Sequence, residues 1–460
     1  MKKKVEEIIS TGGDERLELI NGVNSYGISV TPKSSNYIHY ASSTGESIST
    51  ESYVFLTSYI QNLSFNELEY KKQLQLCRDD IRKLWGLEDE IDIVFGPSGT
   101  DLEIIISIAG VIQKGRVVNF LSLPGEIGSK SQDSAKCKVF SSVPPNKSSV
   151  RLGESMVKQD INIRTVWKKE DVEFELDKEK SAVIVHLVYG SKTGKIYPDE
   201  RWVEDLSSKY PSLIVAVDAC QGRISKAKIN KFLNKGFIVY TTGSKFFGGQ
   251  PFSGIALFPE KFKEYFHRSH LDFNKISAFF NRSEFPENWA AFDEIASQIN
   301  YGLLLRLKSS IYEMSAFYSI DNSRIIGLIM TYVRIANEVF DSYPFEVLKK
   351  NDIKTLSEED FMLITIINVG ISKRYKTVDL DLRKAFNQVK SMYFEKVFIV
   401  SQPVESKKIY FRVAIGARNI YELAGMLKSK REEVIRRHFE VIKRGMYSPF
   451  KEEMVNETLL

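Results

Sequence analysis

The chain reads GFIVYTTGSKFFGGQPFSG from Gly236 to Gly254, an apolar run followed by small residues around a single lysine. The run before Thr242 is typical of a β-strand, and the Ser, Thr and Gly residues after it are typical of a loop that approaches a small anion. Lys245 lies in this loop, where its amine could act as a nucleophile. Because Ser-Lys pairs and glycine loops are common on protein surfaces, the stretch alone also fits an inert loop.

Strand-like runs of the same kind alternate with helical patterns over residues 66–258. The helical patterns cover residues 66–85, 100–114 and 198–209. In chain order, the strand-like runs are DIVFG, RVVNFLSL, AKCKVF, NIRTVW, AVIVHLVY, LIVAVDA, FIVYTT and SGIALF. This alternation predicts an α/β domain with a mainly parallel sheet.

The sequence changes character near residue 300. Two long helical patterns are followed by the strand-like pieces FMLITIINVGI and EKVFIV and by the helical pattern YELAGMLKSKREEVIRRHFEVIKRG. Residues 1–60 show no sustained period, which is typical of an arm or irregular segment. The predicted organisation is therefore an N-terminal arm (1–60), a large α/β domain (61–300) and a smaller α+β C-terminal domain (301–460).

Composition and charge exclude several classes of protein. Among 460 residues the net charge is +5, with basic and acidic side chains interspersed, which does not indicate nucleic-acid binding. The three cysteines are widely separated and lack metal-ligand spacing, so neither a zinc site nor a disulfide framework is predicted. No signal peptide and no apolar window of about 18 residues is found. The sequence predicts a cytoplasmic protein with no metal, membrane or nucleic-acid partner.

Ligands of open α/β sheets bind beyond the carboxyl ends of the strands, so polar residues there are candidates for chemistry. After DIVF comes GPSGTDLE, in which Ser98, Gly99 and Thr100 lead into a helix. Free amides at a helix start attract anions, so these residues could bind a phosphate group. A glycine turn in which Thr100 only caps its helix explains the pattern equally well.

Two later strand ends also carry polar residues. Asp218 ends LIVAV, with Gln221 three positions later, and a carboxylate there is costly unless it is paired with a cation. A salt bridge or helix cap is the alternative. Ser191 follows AVIVHLVY in the turn GSKTG, while His186, inside the strand, is predicted to be a core residue. Lys245 lies one helix and one strand after Asp218, which predicts that both stand at neighbouring strand ends.

A phosphate-binding helix start, a buried carboxylate and a lysine on the next strand end suit pyridoxal phosphate (PLP). Over residues 90–260 and 402–418 the sequence resembles the fold-type I PLP enzymes, within them the class V aminotransferase branch that includes cysteine desulfurases and kynureninase. The resemblance rests on VDACQ and TTGSKFFGG, with the SGT turn as a weaker match. It implies an aspartate-aminotransferase-like large domain and a homodimer whose subunits complete each other's sites.

The resemblance also implies a role for each matching residue. Lys245 would form the Schiff base with the cofactor and Asp218 would pair with the pyridinium nitrogen, which makes these two the catalytic residues. Gln221 would reach the ring hydroxyl, and Ser191 stands where the branch often has asparagine. The phosphate would be bound by Ser98, Gly99, Thr100 and Thr242.

A later stretch, SQPVESKKIYFRVAIGAR, is similar to the part in which such enzymes place an arginine for the substrate's α-carboxylate. A guanidinium group binds a carboxylate through two parallel hydrogen bonds. Arg412 is the candidate and Arg418 the reserve. The alternative is that either is an ordinary surface arginine.

The sequence differs from the class V branch at three points, and these differences limit which residue roles and reactions can be assigned. The stretch LSLPGEIGSKS has no aromatic ring where the branch commonly stacks a histidine on the cofactor, so no stacking residue is assigned. The residue before Lys245, often histidine in the branch, is Ser244. All three cysteines precede Lys245, which disfavours sulfur transfer through a cysteine on a later loop.

The sequence thus predicts a PLP-dependent enzyme that acts on an amino acid or related amine through chemistry at Cα. An aminotransferase is the first interpretation because it needs no additional catalytic group. A PLP-dependent lyase, acting by β-elimination or other Cα chemistry, is the second. A non-catalytic binding protein that has kept the fold is the third.

Overall fold

The computed structural model describes residues 4–33, 37–42, 45–268, 274–342, 345–348, 357–371, 397–404 and 410–457. The helices, α1 to α13 in chain order, are Val5–Ile9, Thr50–Gln61, Glu67–Trp85, Gly99–Lys114, Ser131–Ala135, Lys169–Asp177, Glu200–Lys209, Lys226–Asn234, Lys263–Arg268, Tyr301–Tyr318, Asn322–Phe340, Ala417–Ala424 and Lys428–Glu457. The strands, β1 to β13, are Tyr37–Tyr40, Asp92–Gly96, Arg116–Phe120, Asp160–Arg164, Ala182–Tyr189, Ile196–Tyr197, Ile214–Ala219, Ile238–Thr242, Gly254–Phe258, Phe345–Val347, Ile366–Ile371, Val397–Val404 and Tyr410–Ala414.

The larger sheet has eight strands in the order β2-β9-β8-β7-β5-β3-β4, with the short β6 beside β5. Its central strands β3, β4, β5, β7 and β8 pair in parallel, and β9 runs antiparallel to both neighbours. The predicted α/β architecture with a mainly parallel sheet is therefore confirmed.

Both faces of the larger sheet are covered, which explains its apolar strands. Every residue of β5, β7 and β8 is buried. Helix α4 packs on one face, where its isoleucines meet Val117, Ile184 and Ile238. The other face contacts α3, α7 and α8 through residues such as Val183 and Val215. Strands buried on both faces lose the polar alternation of a half-exposed sheet.

The smaller sheet has five strands in the order β1-β12-β13-β11-β10. Strand β1 comes from the N-terminal part of the chain and pairs in parallel with β12. The segment 1–60, in which no regular structure was predicted, thus contains β1 and also α2. The proposed division at residues 60 and 300 stays a prediction.

Two local predictions are wrong. AKCKVF is not a strand: α5 ends at Ala135, Cys137 has a left-handed φ of 51°, and Lys138 forms only an isolated bridge with Ser155. A left-handed residue turns the backbone out of the extended conformation. The single helix predicted from Tyr421 onward is the end of α12 followed by α13, with a break that contains Gly425.

Membrane and metal features were searched over the described ranges. None of the helices there is long and apolar enough to cross a membrane. In the same ranges, no group of three or more His, Cys, Asp or Glu residues is placed to hold a metal ion.

Candidate functional site

A cavity of ≈ 250 Å³ opens at the carboxyl edge of the larger sheet, where β5, β7 and β8 end and α4 begins. It brings together residues that are far apart in the chain. All the residues selected from the sequence except the two arginines Arg412 and Arg418 line this cavity: Ser98, Gly99, Thr100, Ser191, Asp218, Gln221, Thr242 and Lys245.

The start of α4 forms one wall of the cavity. Ser98 is the N-cap, and its Oγ accepts a hydrogen bond from the Asp101 amide at 3.3 Å. The amides of Gly99 and Thr100 have no acceptor inside the helix, because the first turn lacks preceding carbonyls. These two amides, together with the positive end of the helix dipole, can bind an anionic group.

Residue 99 has to be a glycine because the start of α4 passes very close to Cys220, the residue after β7. A Cβ atom at this position would lie 2.2 Å from Cys220 Sγ, so any larger residue forces the helix start or Cys220 to move. The cradle at the start of α4 therefore depends on the absence of a side chain at residue 99.

We predict that Gly99→Ala weakens binding of PLP, the cofactor that the sequence resemblance implies, by ~10-fold, since overpacking costs about 1–3 kcal/mol. Fluorescence titration of the cofactor-free protein with PLP measures this effect. The double variant Gly99→Ala/Cys220→Ala should recover most of the affinity, because it removes the sulfur that the new methyl group meets. Equal affinity of Gly99→Ala and the wild type would contradict the role of this contact.

The end of β7 supplies Asp218 and Gln221. Asp218 is 9% exposed, and its Oδ1 accepts a hydrogen bond from the Cys220 amide at 3.0 Å, which fixes the carboxylate. Gln221 is buried, and the described residues provide no hydrogen-bond partner for its Oε1. A buried polar atom without a partner is costly and indicates a missing ligand group.

The end of β8 and its loop supply Thr242 and Lys245. Thr242 Oγ1 lies 3.2 Å from the Cys220 carbonyl and 3.2 Å from Ser244 Oγ, while Lys245 is partly exposed in the cavity. The loop then passes close to α10, where a Cβ on Gly249 would come within 2.3 Å of Ser310 Oγ. The glycines thus let the lysine loop pack directly against a helix.

Ser191 is bound to a residue that the sequence did not single out. Its Oγ donates to Glu126 Oε2, which also accepts from Thr193 Oγ1 at 2.5 Å, and Lys195 Nζ lies 2.5 Å from Glu126 Oε1. Burial alone would raise the pKa of Glu126, but hydrogen bonds from Lys195 and the two hydroxyls lower it. Glu126 thus fixes the turn after β5.

The loop after β3, which holds Glu126, also brings Ile127 to the cavity wall. This is the loop in which a ring-stacking residue was sought. An aliphatic side chain stands at the cavity there, and the loop contains no aromatic residue.

Arg412 does not line the cavity. It is 3% exposed, and its Nη1 donates to the carbonyl of Lys192 at 3.0 Å and to Ser42 Oγ at 3.3 Å. Lys192 itself lines the cavity, so Arg412 lies directly behind the cavity wall.

Arg418, the reserve, forms ion pairs with Glu46 at 3.3 Å and Glu313 at 2.9 Å. Its charge is therefore already balanced inside the protein. Of the two arginines, Arg412 remains the better candidate for a substrate carboxylate.

Sequence reasoning missed the contribution of the N-terminal segment. Arg16 and Tyr26 line the cavity; the Arg16 guanidinium binds Asp14 and lies 4.7 Å from the ring centre of Phe252. The N-terminal segment has no hydrophobic periodicity and no sequence motif. Its place at the cavity can therefore be found only from the folded structure.

Asp101, next to the helix start, is 2% exposed, and burial raises its pKa to about 7 with help from the charge of Asp14. A carboxyl group with a raised pKa holds its proton longer in the folded than in the unfolded protein. Its contribution to stability therefore falls as the pH rises from about 4 to about 7, by up to about 1.4 kcal/mol per pH unit.

The melting temperature of the cofactor-free protein should consequently fall less between pH 5 and pH 8 in Asp101→Asn than in the wild type. Thermal unfolding of both proteins at the two pH values measures the difference. Asp205→Asn, which changes an exposed carboxylate, serves as the control and should follow the wild type. An unchanged pH dependence in Asp101→Asn would show that Asp101 titrates normally.

No protein-family model and no curated protein sequence matches this chain. Solved structures do match. A phosphoserine aminotransferase from Cytophaga hutchinsonii aligns with a TM-score of 0.56 and 13% identity, over 89% of this chain and 99% of its own. An alanine–glyoxylate aminotransferase from Nostoc sp. aligns with a TM-score of 0.57 and 14% identity, over 93% and 100%. A cysteine desulfurase from Thermococcus onnurineus gives 0.55 and 12%, over 88% and 95%.

These similarities extend over almost the whole of each chain, so they concern the complete architecture rather than one sheet. At 12–14% identity they establish the fold. The predicted aspartate-aminotransferase-like fold is confirmed.

Proposed function

We propose that this chain, which has the fold of these aminotransferases, is a PLP-dependent enzyme that acts on an amino acid or related amine by transamination. The observation that carries the proposal is the convergence of Lys245, Asp218 and the start of α4 on one cavity. Each comes from a different strand end, as the binding of a single ligand at this edge of the sheet requires.

The residues present fit PLP group by group. The amides of Gly99 and Thr100 suit its phosphate, and the Asp218 carboxylate suits its ring nitrogen. Gln221 Oε1, which lacks a partner among the described residues, suits a donor on the ring or its hydroxyl. The Lys245 amine suits the aldehyde, and the bound cofactor supplies an electron sink for chemistry at Cα.

In this proposal Lys245 Nζ is both the attachment point and the general base that takes the proton from the substrate's Cα. Asp218 keeps the proton on the ring nitrogen through a charge-assisted hydrogen bond. Arg412 stays the candidate for the substrate carboxylate, which it would attract through its charge from behind Lys192 on the cavity wall. Glu126 keeps the turn that carries Lys192 in place through its bond to Ser191.

Three finer statements belong to the same proposal. The substrate is a small-molecule amino acid or amine, the protein is a homodimer and it works in the cytoplasm. The sequence resemblance supports the dimer, and the compositional argument supports the location. Transamination is preferred to a lyase reaction because it needs no additional catalytic group.

Adding PLP to the purified protein tests the function. We expect a visible absorbance band, and amino acids that are substrates should convert it to the band of the amine form of the cofactor. Ammonia and oxo-acid products without this conversion would favour the lyase. No visible band under any condition would refute the proposed function.

A further inference from the structure

Buried polar side chains form a chain behind Asp218, between the larger sheet and α4. Tyr240 of β8 is the register partner of Asp218, and His186 of β5 lies on the same face of the sheet. Glu103 reaches them from the second turn of α4. Glu103, His186 and Tyr240 are each 1% exposed, and Glu103 and Tyr240 border the cavity as well.

Asn119 of β3 fixes the direction of the hydrogen bonds in this chain. Its Nδ2 donates to the Ala135 carbonyl and to Ser107 Oγ, both at 2.9 Å. A carbonyl can only accept, so the amide group has one orientation and its Oδ1 faces His186 Nε2 at 3.2 Å. His186 therefore carries a proton on Nε2.

The remaining contacts of the group join Glu103, His186 and Tyr240. His186 Nδ1 lies 3.2 Å from Glu103 Oε2 and 3.4 Å from the Tyr240 hydroxyl oxygen, and this hydroxyl donates to Glu103 Oε1 at 2.7 Å. A neutral Nδ1 and an ionised carboxylate are both acceptors and would repel each other at this distance. A proton held by one of the two groups removes this repulsion.

Burial assigns this proton to the carboxyl group. Burial and the nearby charge of Asp218 raise the pKa of Glu103 well above its usual range. Burial also lowers the pKa of His186 to about 3. The titratable groups that act on Glu103 from the neighbouring strands are Asp218, Tyr240 and Cys220.

We propose that Glu103 and His186 form a pair that shares one proton and carries no net charge. Among the described residues, Asp218 is then the single anion of the cavity at the end of β7. The effect on the cofactor rests on the proposed function, whereas the proton in the pair does not. An ionised Glu103 would add a second negative charge next to Asp218 in a poorly solvated place, at a high energetic cost. Glu103 is thus a positioning residue that acts through Asp218.

Glu103→Gln is the matched variant, because its amide can donate to His186 Nδ1 and accept from the Tyr240 hydroxyl. Infrared difference spectra of the cofactor-free protein, wild type minus variant, should show the loss of one carbonyl stretch of a protonated carboxyl group. Glu88→Gln removes an exposed carboxylate and should not remove such a band. In His186→Leu the band should persist at higher frequency, since the carboxyl group loses its acceptor.

The PLP-loaded protein provides a second measurement. In Glu103→Gln the pH midpoint of the visible band should stay within about 0.3 units and the Kd for PLP within about twofold of the wild type. The proposal is overturned if no protonated carboxyl band is lost, or if the midpoint falls by more than about one unit, as removal of an anion would cause. A wild type without any visible band would refute the proposed function only, and the infrared spectra would still test the pair.

Discussion

Replacing Lys245 by alanine is expected to abolish the visible absorbance band of the PLP-loaded protein and to lower amino acid turnover by at least about 10³-fold. Both effects have one physical reason: the variant lacks the amine that holds the cofactor aldehyde and moves the proton at Cα. Lys245 is partly exposed in the cavity, so truncation removes little packing. Absorbance spectra and turnover of the two proteins, with melting temperatures as a check on folding, measure the effect.

Lys192 provides a matched control, since it is a second lysine on the wall of the same cavity. It stands on the turn after β5, whereas Lys245 stands in the loop after β8. Lys192→Ala should therefore keep the visible band. If the band survived in Lys245→Ala and disappeared in Lys192→Ala, the assignment of the attachment point would have to be exchanged.

The larger sheet was predictable because its strands are buried on both faces. The runs that became β5, β7 and β8 are continuous and apolar, and such runs are visible in a sequence without any knowledge of their neighbours. AKCKVF, which was wrongly predicted to be a strand, is also partly apolar. The left-handed backbone at Cys137, however, cannot be predicted from the pattern of side chains. Patterns report burial well and backbone turns poorly.

The residues of the candidate site also fall into a group that the sequence pattern predicts and a group that it does not predict. Ser98, Asp218 and Lys245 directly follow or end buried strands, so the topology of a parallel sheet brings them together once the strands are known. Glu126 and Arg16 reach the cavity from irregular segments. Glu126 binds Ser191, 65 residues further along the chain. No pattern in the neighbouring sequence predicts a contact over such a separation.

The prediction for His186 was correct about its burial but did not include its polar contacts. It was predicted to be a core residue, and it is buried within β5. Its hydrogen bond to Asn119 and its 3.2 Å contact with Glu103 nevertheless connect it to the charge balance behind Asp218. Period and composition cannot show this, because the partners come from β3 and α4.

Asp218→Asn is expected to lower turnover by about 10²–10⁴-fold while PLP affinity changes by less than about tenfold. Asparagine keeps the Oδ1 that accepts from the Cys220 amide, so the side chain can hold its position. Its Nδ2 replaces the oxygen that would accept the proton of the ring nitrogen, and two donors then face each other. The ring nitrogen loses its proton, and with it the ability to draw electrons from Cα.

Separate measurements of PLP binding and of turnover distinguish this effect from simple loss of the cofactor. Phosphate binding at the start of α4 and attachment at Lys245 do not depend on Asp218, so the visible band should form in the variant with an altered maximum. Asp205→Asn, at an exposed carboxylate on α7, should match the wild type in both measurements. Turnover within tenfold of the wild type in Asp218→Asn would mean that this carboxylate does not face the ring nitrogen, since a charge-assisted bond in so buried a place cannot be lost without a large cost.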